Sequence, residues 1–357
     1  KKGEKINIKI NKINFPSTGI ANINNKQIRV KNVLPGQIVR VLIKKKKKQY
    51  YQARLLDIIK KSSDEKEAEC VHYQNCGGCN RQTIDYKKQL EIKSNQVRDL
   101  FLRSNIKLNN FKGIIPSPDI FEYRNNMEFS FGDLKKGGLL QLGMHPAGRR
   151  FDVTTVDNCK IIDEDFRKIL STVINYFRKT NFNKYHIIKH KGFLRQLVVR
   201  KGINTGEILI NLITTSQEDH NLKILTKKLL NLSLKGKIIG FLQTINDDYA
   251  DTVKCDKIIT YYGNKYFHEK LLNLKFRITP FVFFQTNTKG AEVLYKNILN
   301  FIEDINNKTI LDLYCGIGTI TQLSAMKAKR AIGIEINKDA VKLADYNAKF
   351  NKINNCS

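Results

Sequence analysis

KTILDLYCGIGTIT, residues 308–321, decides how this chain is read: an apolar run enters a glycine-rich turn and leads into a helix. A second apolar run, AIGIEI, follows at 331–336 and contains Glu335. Strand, glycine turn, helix and a strand closed by an acid form half of a nucleotide-binding sheet. Gly316 and Gly318 let the backbone approach a ligand closely, and Glu335, 17 residues beyond Gly318, is placed to accept hydrogen bonds from ribose hydroxyls. The dinucleotide fingerprint G-x-G-x-x-G is broken, because Thr321 stands where its third glycine belongs. An adenosine ligand without a pyrophosphate, such as S-adenosylmethionine, therefore fits better than NAD.

Before this segment, residues 123–280 alternate strand patterns (MEFSFG, LLQLGMH, RFDVTTV, FLRQLVVRK, GEILINLIT, GFLQTIND) with helical ones (DEDFRKILSTVINYFRKT and a stretch near 222–232). That is an α+β organisation. A helix is predicted over 85–104, where Leu90, Val97, Leu100 and Phe101 recur at helical spacing. The first sixty residues read as four short strands, INIKINKI, GIANINNKQIRVKNV, QIVRVLI and QYYQARLLDII, separated by turn signals, which predicts a small β-barrel. Five consecutive lysines, 44–48, lie between the last two, beside Tyr50 and Tyr51. They read either as a solvated hairpin tip or as a phosphate-contacting loop next to stacking aromatics.

The chain carries 63 Lys and Arg against 33 Asp and Glu over 357 residues, a net charge of +30, so a polyanionic partner, RNA above all, is expected. A general bias toward Lys, Asn and Ile is the alternative. No apolar run is long enough to span a membrane and no signal peptide is visible, so a cytoplasmic protein without membrane contact is expected. The chain begins without Met and ends just after a helix-like stretch, which suggests a fragment.

ECVHYQNCGGCNRQ, residues 69–82, places Cys70, Cys76 and Cys79 as C-x5-C-x2-C, and the obvious fourth thiol is Cys159, 80 residues on. Structural zinc usually takes two C-x2-C pairs. Three ligands from one loop and one from far away is more typical of an iron–sulfur cluster, and [4Fe-4S] is favoured over zinc or unliganded thiols. The spacing is not C-x3-C-x2-C, so a radical enzyme that leaves one iron open is disfavoured.

Taken in order, C70-x5-C76-x2-C79, YRNNMEFSFG at 123–132, Cys159, FFQTN at 283–287 and LDLYCGIGT at 311–319 resemble the RumA/RlmD-type RNA 5-methyluridine methyltransferases across the whole chain. The N-terminal strands are similar to that family's TRAM domain, an OB-like RNA-binding barrel. The resemblance implies a multidomain enzyme: a TRAM barrel over 1–60, a central α+β domain with the cluster over 61–280, and the start of a Rossmann-like methyltransferase domain over 281–357. It places cluster ligands at Cys70, Cys76, Cys79 and Cys159 and cofactor contacts at Gln285, Tyr314 and Glu335, with Gly316, Gly318 and Thr319 in the same turn. Thr319 stands where relatives often carry Asn. Taken alone, Gln285 is a polar residue before a helix starting near Thr288, capped by Thr286 or Asn287. Tyr314 alone reads as a core aromatic at a strand end.

The implied reaction adds a cysteine thiolate to uracil C6, which makes C5 able to accept the sulfonium methyl. The family's nucleophilic Cys and its Glu base fall beyond residue 357, so no turnover by residues 1–357 alone is expected, and Cys315, Cys255 and Cys356 inherit no catalytic role. The target uridine must leave its stack, so RNA must be held. Lys45, Lys46, Lys47 and Arg124 are the candidate contacts. His145, Arg149 and Arg150 are similarly placed or form a solvated turn. The resemblance favours 23S rRNA over tRNA, because tRNA-specific relatives usually lack the barrel and the cluster cysteines. A monomer is expected. A methylthiotransferase would need a different cysteine loop and an (α/β) barrel; a non-catalytic RNA-binding iron–sulfur protein is the rival of another class.

Overall fold

The computed structural model describes residues 2–249 and 256–357. The chain divides into two compact units, Lys1–Tyr73 with Cys79–Pro116, and Gln74–Gly78 with Ser117–Ser357.

The first unit holds strands β1 (Lys5–Lys9), β2 (Lys12–Asn14), β3 (Thr18–Ile23), β4 (Lys26–Lys31), β5 (Ile38–Lys46) and β6 (Tyr50–Lys60), in the sheet order β1-β5-β6-β4-β3-β2. Six strands replace the expected four. INIKINKI breaks after Lys9, where the Asn11 amide turns to the Ile20 carbonyl. The long second run folds back at Asn24-Asn25, both with positive φ, as a two-residue hairpin in which asparagine tolerates the left-handed backbone. Alternate residues Ile8, Ile28, Val30, Val39, Val41 and Ile43 fill one apolar core. Helix α1 (Tyr86–Arg103) starts and stops one residue inside the predicted span. Its Ile92 closes a small core with Ile84, Ile13 and Leu34, so the expected boundary at residue 60 does not coincide with the division between units.

The second unit is built on a seven-stranded sheet of β7 (Asn126–Asp133), β8 (Leu140–Met144), β9 (Thr154–Thr155), β10 (Leu194–Lys201), β11 (Glu207–Thr214), β12 (Lys237–Ile245) and β13 (Lys257–Gly263), ordered β13-β12-β11-β10-β7-β8-β9. Only β11 and β12 run parallel, joined through α3 (Lys223–Leu230). Helix α2 (Glu164–Phe177) buries Phe166, Ile169, Leu170, Val173 and Phe177 against the sheet. RFDVTTV forms only the two residues of β9.

The remaining elements are the hairpin β14 (Phe267–Leu271) and β15 (Leu274–Ile278), then α4 (Thr288–Phe301), β16 (Thr309–Leu313), α5 (Thr319–Ala325), β17 (Arg330–Ile334) and α6 (Lys338–Phe350). A second core joins Phe276, Phe284, Tyr295, Leu323 and Leu343 to Leu209 and Leu242 of the large sheet, so no break between compact units falls at residue 281. No helix among the described residues is long and apolar enough to cross a membrane.

Candidate cofactor site

Strands β16 and β17 pair in parallel, Leu313 opposite Ile334, so residues 314–318 and Glu335 emerge at the same edge. The chain reverses there through Tyr314, Gly316 and Gly318, all with positive φ (61°, 56° and 75°). At Gly318 a Cβ would fall 3.2 Å from the Ala344 Cβ, whereas at Gly316 it would meet nothing within 4 Å, so the turn's outer face is open. The Cys315 amide binds the Ile334 carbonyl (3.0 Å), which ties the turn to β17.

Glu335 is the electrostatic centre of this edge. Its Oε1 accepts from the Asn337 amide (2.8 Å) and its Oε2 from the Gly316 amide (3.1 Å). These two amides hold its pKa below the ordinary glutamate value, so the carboxylate stays ionised and each oxygen keeps lone-pair capacity for a further donor. Tyr314 and Ile336, 89 % and 94 % exposed, stand on either side in sequence as apolar surface that the core does not use.

Thr321, the residue that breaks the dinucleotide fingerprint, donates its hydroxyl to Asp312 Oδ2 (2.7 Å). Gly333 on β17 makes room for this arrangement, since a Cβ there would lie 2.7 Å from the Cys315 Sγ. Burial, and secondly Asp312, push the Cys315 thiol up, and burial does the same for Cys356. Neither is poised as a thiolate nucleophile. Cys255 lies outside the described residues.

Gln285 precedes α4, whose N-cap is Asn287, accepting from the Gly290 amide (2.8 Å). Its side chain and that of Thr319 both lie near the phenol of Tyr295, where they oppose the burial that raises its pKa. Tyr295 is 4 % exposed, on the buried face of α4 with Ala291 and Leu299. The structure thus gathers Tyr314, Gly316, Gly318, Thr319 and Glu335 at one turn and sets Gln285 near the same Tyr295 phenol as Thr319. Sequence reasoning passed over Tyr295 and Ile336; the exposed isoleucine directly after the acid was the one available signal.

The four cysteines are distributed differently. Cys70 and Cys79 belong to the first unit, Cys76 and Cys159 to the second. Segment 74–78 lies against residues 145–147, where only glycine fits at 77: a Cβ would come 2.7 Å from the His145 carbonyl oxygen that the Gly77 amide binds (2.9 Å). Cys76 thereby packs against the core that contains Cys159. Among the described residues, no group of three or more His, Cys, Asp or Glu is arranged to hold a metal ion, and the expected [4Fe-4S] cluster gains no support there.

Among the RNA candidates, Lys45 and Lys46 are not in a hairpin tip. They extend β5, paired with Gln52 and Tyr51 of β6, and the Lys47 amide binds the Tyr50 carbonyl (2.9 Å). All five lysines are exposed, and next to them Arg29 stacks on Tyr50 (3.7 Å) and Lys26 on Tyr51 (5.5 Å). Arg124, in the second unit, is half-buried and donates its Nε to the Asn126 carbonyl (3.2 Å). His145 is engaged through its Nδ1 with the Asp152 carbonyl (2.9 Å) and Arg149 with the Asp152 carboxylate (3.6 Å).

A β-α-β unit with an acid held at the second strand's end beside an open glycine turn defines a nucleoside-binding α/β domain of the S-adenosylmethionine-dependent methyltransferase class. Residues 85–357 match the family model described as tRNA (Uracil-5-)-methyltransferase, and residues 1–56 match the TRAM domain. The chain belongs to the RNA (uracil-5-)-methyltransferase family, with a TRAM domain at its N-terminus. It is 48 % identical over 356 residues to an uncharacterized RNA methyltransferase of Clostridium tetani, covering 100 % of this chain and 78 % of that one. A relative of the same description from Clostridium acetobutylicum is 46 % identical over 357 residues, with the same coverage. Among solved structures, the Pyrococcus abyssi tRNA (uracil-54, C5)-methyltransferase in complex with S-adenosyl-L-homocysteine is similar with a TM-score of 0.74 at 22 % identity, over 98 % of this chain and 78 % of that one, a likeness of fold.

Proposed function

We propose that this chain binds S-adenosylmethionine at the 314–319 turn and serves methylation of C5 of a uridine in 23S rRNA. The observation that carries the cofactor reading is Glu335, an ionised carboxylate fixed by the Gly316 and Asn337 amides at the rim of an open turn. Such an acceptor suits vicinal ribose hydroxyls, and the exposed faces of Tyr314 and Ile336 suit a purine ring. The residues fit the group. When bound, the cofactor supplies an electrophilic sulfonium methyl. Glu335 accepts from the ribose, Gly316 and Gly318 keep side chains out of the turn, and Gln285 and Thr319, both near Tyr295, supply further polar contacts. In the division of labour we propose, residues 1–60 hold RNA with Lys45, Lys46 and Lys47, residues 61–280 add Arg124, and residues 281–357 hold the cofactor.

Titration calorimetry with S-adenosylhomocysteine tests the site: Glu335→Ala weakens binding by about tenfold or more, as expected for loss of a charged hydrogen-bond acceptor. Equal affinity in the variant sinks it. The substrate is tested with labelled S-adenosylmethionine and separate rRNA and tRNA from a strain lacking the gene, using the full gene product. Label in 23S rRNA supports the reading. Label in tRNA alone, the substrate named for the Pyrococcus relative, replaces it.

A [4Fe-4S] cluster on Cys70, Cys76, Cys79 and Cys159 retains the C-x5-C-x2-C spacing and the shared core of Cys76 and Cys159 as its support. Protein purified without oxygen then carries about four irons per chain. Zinc in their place, or no metal, overturns it.

A further inference from the structure

The Gln285 side chain stands on a peptide that the large sheet grips from below. Asn125, 4 % exposed at the foot of β7, uses both hydrogens of its amide: one goes to the Gln285 carbonyl (2.8 Å), the other to the Thr288 hydroxyl (2.8 Å). Its backbone is committed too, since its amide binds the Thr286 carbonyl (2.9 Å) and its carbonyl accepts from the Lys201 amide (2.8 Å). The Thr288 hydroxyl, fully buried, passes its own proton toward Glu269 Oε2 (2.7 Å). Glu269, also fully buried, is locked by the amides of Ile203 (2.7 Å), Asn204 (3.0 Å) and Lys270 (2.9 Å). Every donor in this chain has one acceptor, so the direction of each hydrogen bond is fixed from Asn125 through Thr288 to Glu269.

A second grip lies alongside. Arg200, opposite Asn126 in the β7–β10 register and 4 % exposed, donates Nη1 to the carbonyls of Thr279 (2.7 Å), Pro280 (3.0 Å) and Val282 (2.9 Å). The ten residues that carry Gln285 are thus fastened at both ends by buried polar groups rather than left as a surface loop.

We propose that Asn125 and Thr288 are positioning residues for cofactor binding, acting through the backbone of Gln285. The proposal rests on Gln285 being a cofactor contact. A double-mutant cycle on the chain, read as the S-adenosylhomocysteine dissociation constant, separates this from a purely structural role. Asn125→Ala and Thr288→Val each weaken binding by about tenfold, the scale of one lost buried hydrogen bond, whereas Thr288→Ser restores near-parent affinity. In a Gln285→Ala background, Asn125→Ala adds less than about twofold, because the contact it positions is already gone. A full tenfold loss in that background, or parent affinity in a folded Asn125→Ala protein, overturns the proposal. Should Asn125→Ala fail to fold, the Val and Ser variants at 288 give the same comparison, and equal affinities for those two overturn it. Parent affinity in Gln285→Ala alone overturns the cofactor reading of Gln285, and with it the positioning role.

Discussion

Two residues at the turn carry different burdens. Tyr314 is held with φ of 61° although nothing packs on its ring, a conformation that costs a β-carbon residue on the order of 1 kcal/mol. Such strain in an exposed aromatic points to use rather than to stability. Tyr314→Gly is therefore expected to leave urea-measured stability within about 1 kcal/mol of the parent, relief of strain offsetting the looser unfolded chain, while S-adenosylhomocysteine affinity falls. Glu335 sets the acid limit. Because its folded pKa lies below the ordinary value of 4.5, the ionised acceptor is fully present above that value and is lost only as pH falls through the lowered one. Cofactor affinity measured between pH 7 and pH 5 is expected to stay flat; a decline in that window, absent from Glu335→Gln, would assign the acceptor a raised pKa instead. Tyr314 also marks a limit of sequence reading: an aromatic at a strand end looks like core until the backbone turns left-handed and leaves it outside.

At the scale of elements, the start of α2 shows how much is invested away from the site. Asp163 caps it, accepting from the Asp165 and Phe166 amides (3.1 and 3.3 Å), and the Lys201 ammonium, 8 % exposed, binds both Asp163 and Asp165. Burial opposes the charge on Asp165, but Lys201 and the Lys235 and Gly236 amides outweigh it and lower its pKa. That contribution is present above the unfolded value of 3.8 and is lost as pH falls through the folded one. Lys201→Met, which strands two carboxylates, is expected to cost about 3–5 kcal/mol in urea unfolding. The N-terminal lysines follow another rule. With Lys45, Lys46 and Lys47 exposed along β5 and its end, replacing all three with Ala is expected to weaken RNA binding and to reduce the slope of log K against log salt by about 2, as for three phosphate contacts on single-stranded RNA. An unchanged slope would remove them from the RNA path. Local pattern made most elements legible: the β16–turn–α5–β17 unit and α1 within one residue were readable from period and side-chain chemistry, and the cap of α4 was narrowed to Thr286 or Asn287, of which the structure uses Asn287. What failed was length. Five lysines look like a loop, yet pairing of Lys45 with Gln52 and Lys46 with Tyr51 carries the strand through the first three.

Across the molecule, the least legible features are those joined over long sequence separations. Nothing in YRNNM announces that Asn125 will hold the carbonyl of a residue 160 positions away, because a buried amide with both hydrogens spent has no local signature. Ile84 and Ile92 likewise belong with Ile13 and Leu34, so the first unit runs well past the expected boundary at residue 60. The cysteine loop was conspicuous in sequence for the opposite reason: three of the chain's seven cysteines stand there within ten residues, around a pair of glycines. The clamp at Glu335 reaches beyond equilibrium affinity. Since the Gly316 and Asn337 amides already fix the turn, an arriving ligand finds the mould cast, and little chain must reorder after encounter. In stopped-flow mixing the observed rate of capture should then climb linearly with S-adenosylhomocysteine concentration, and selectivity among nucleosides should be expressed in how long each one stays.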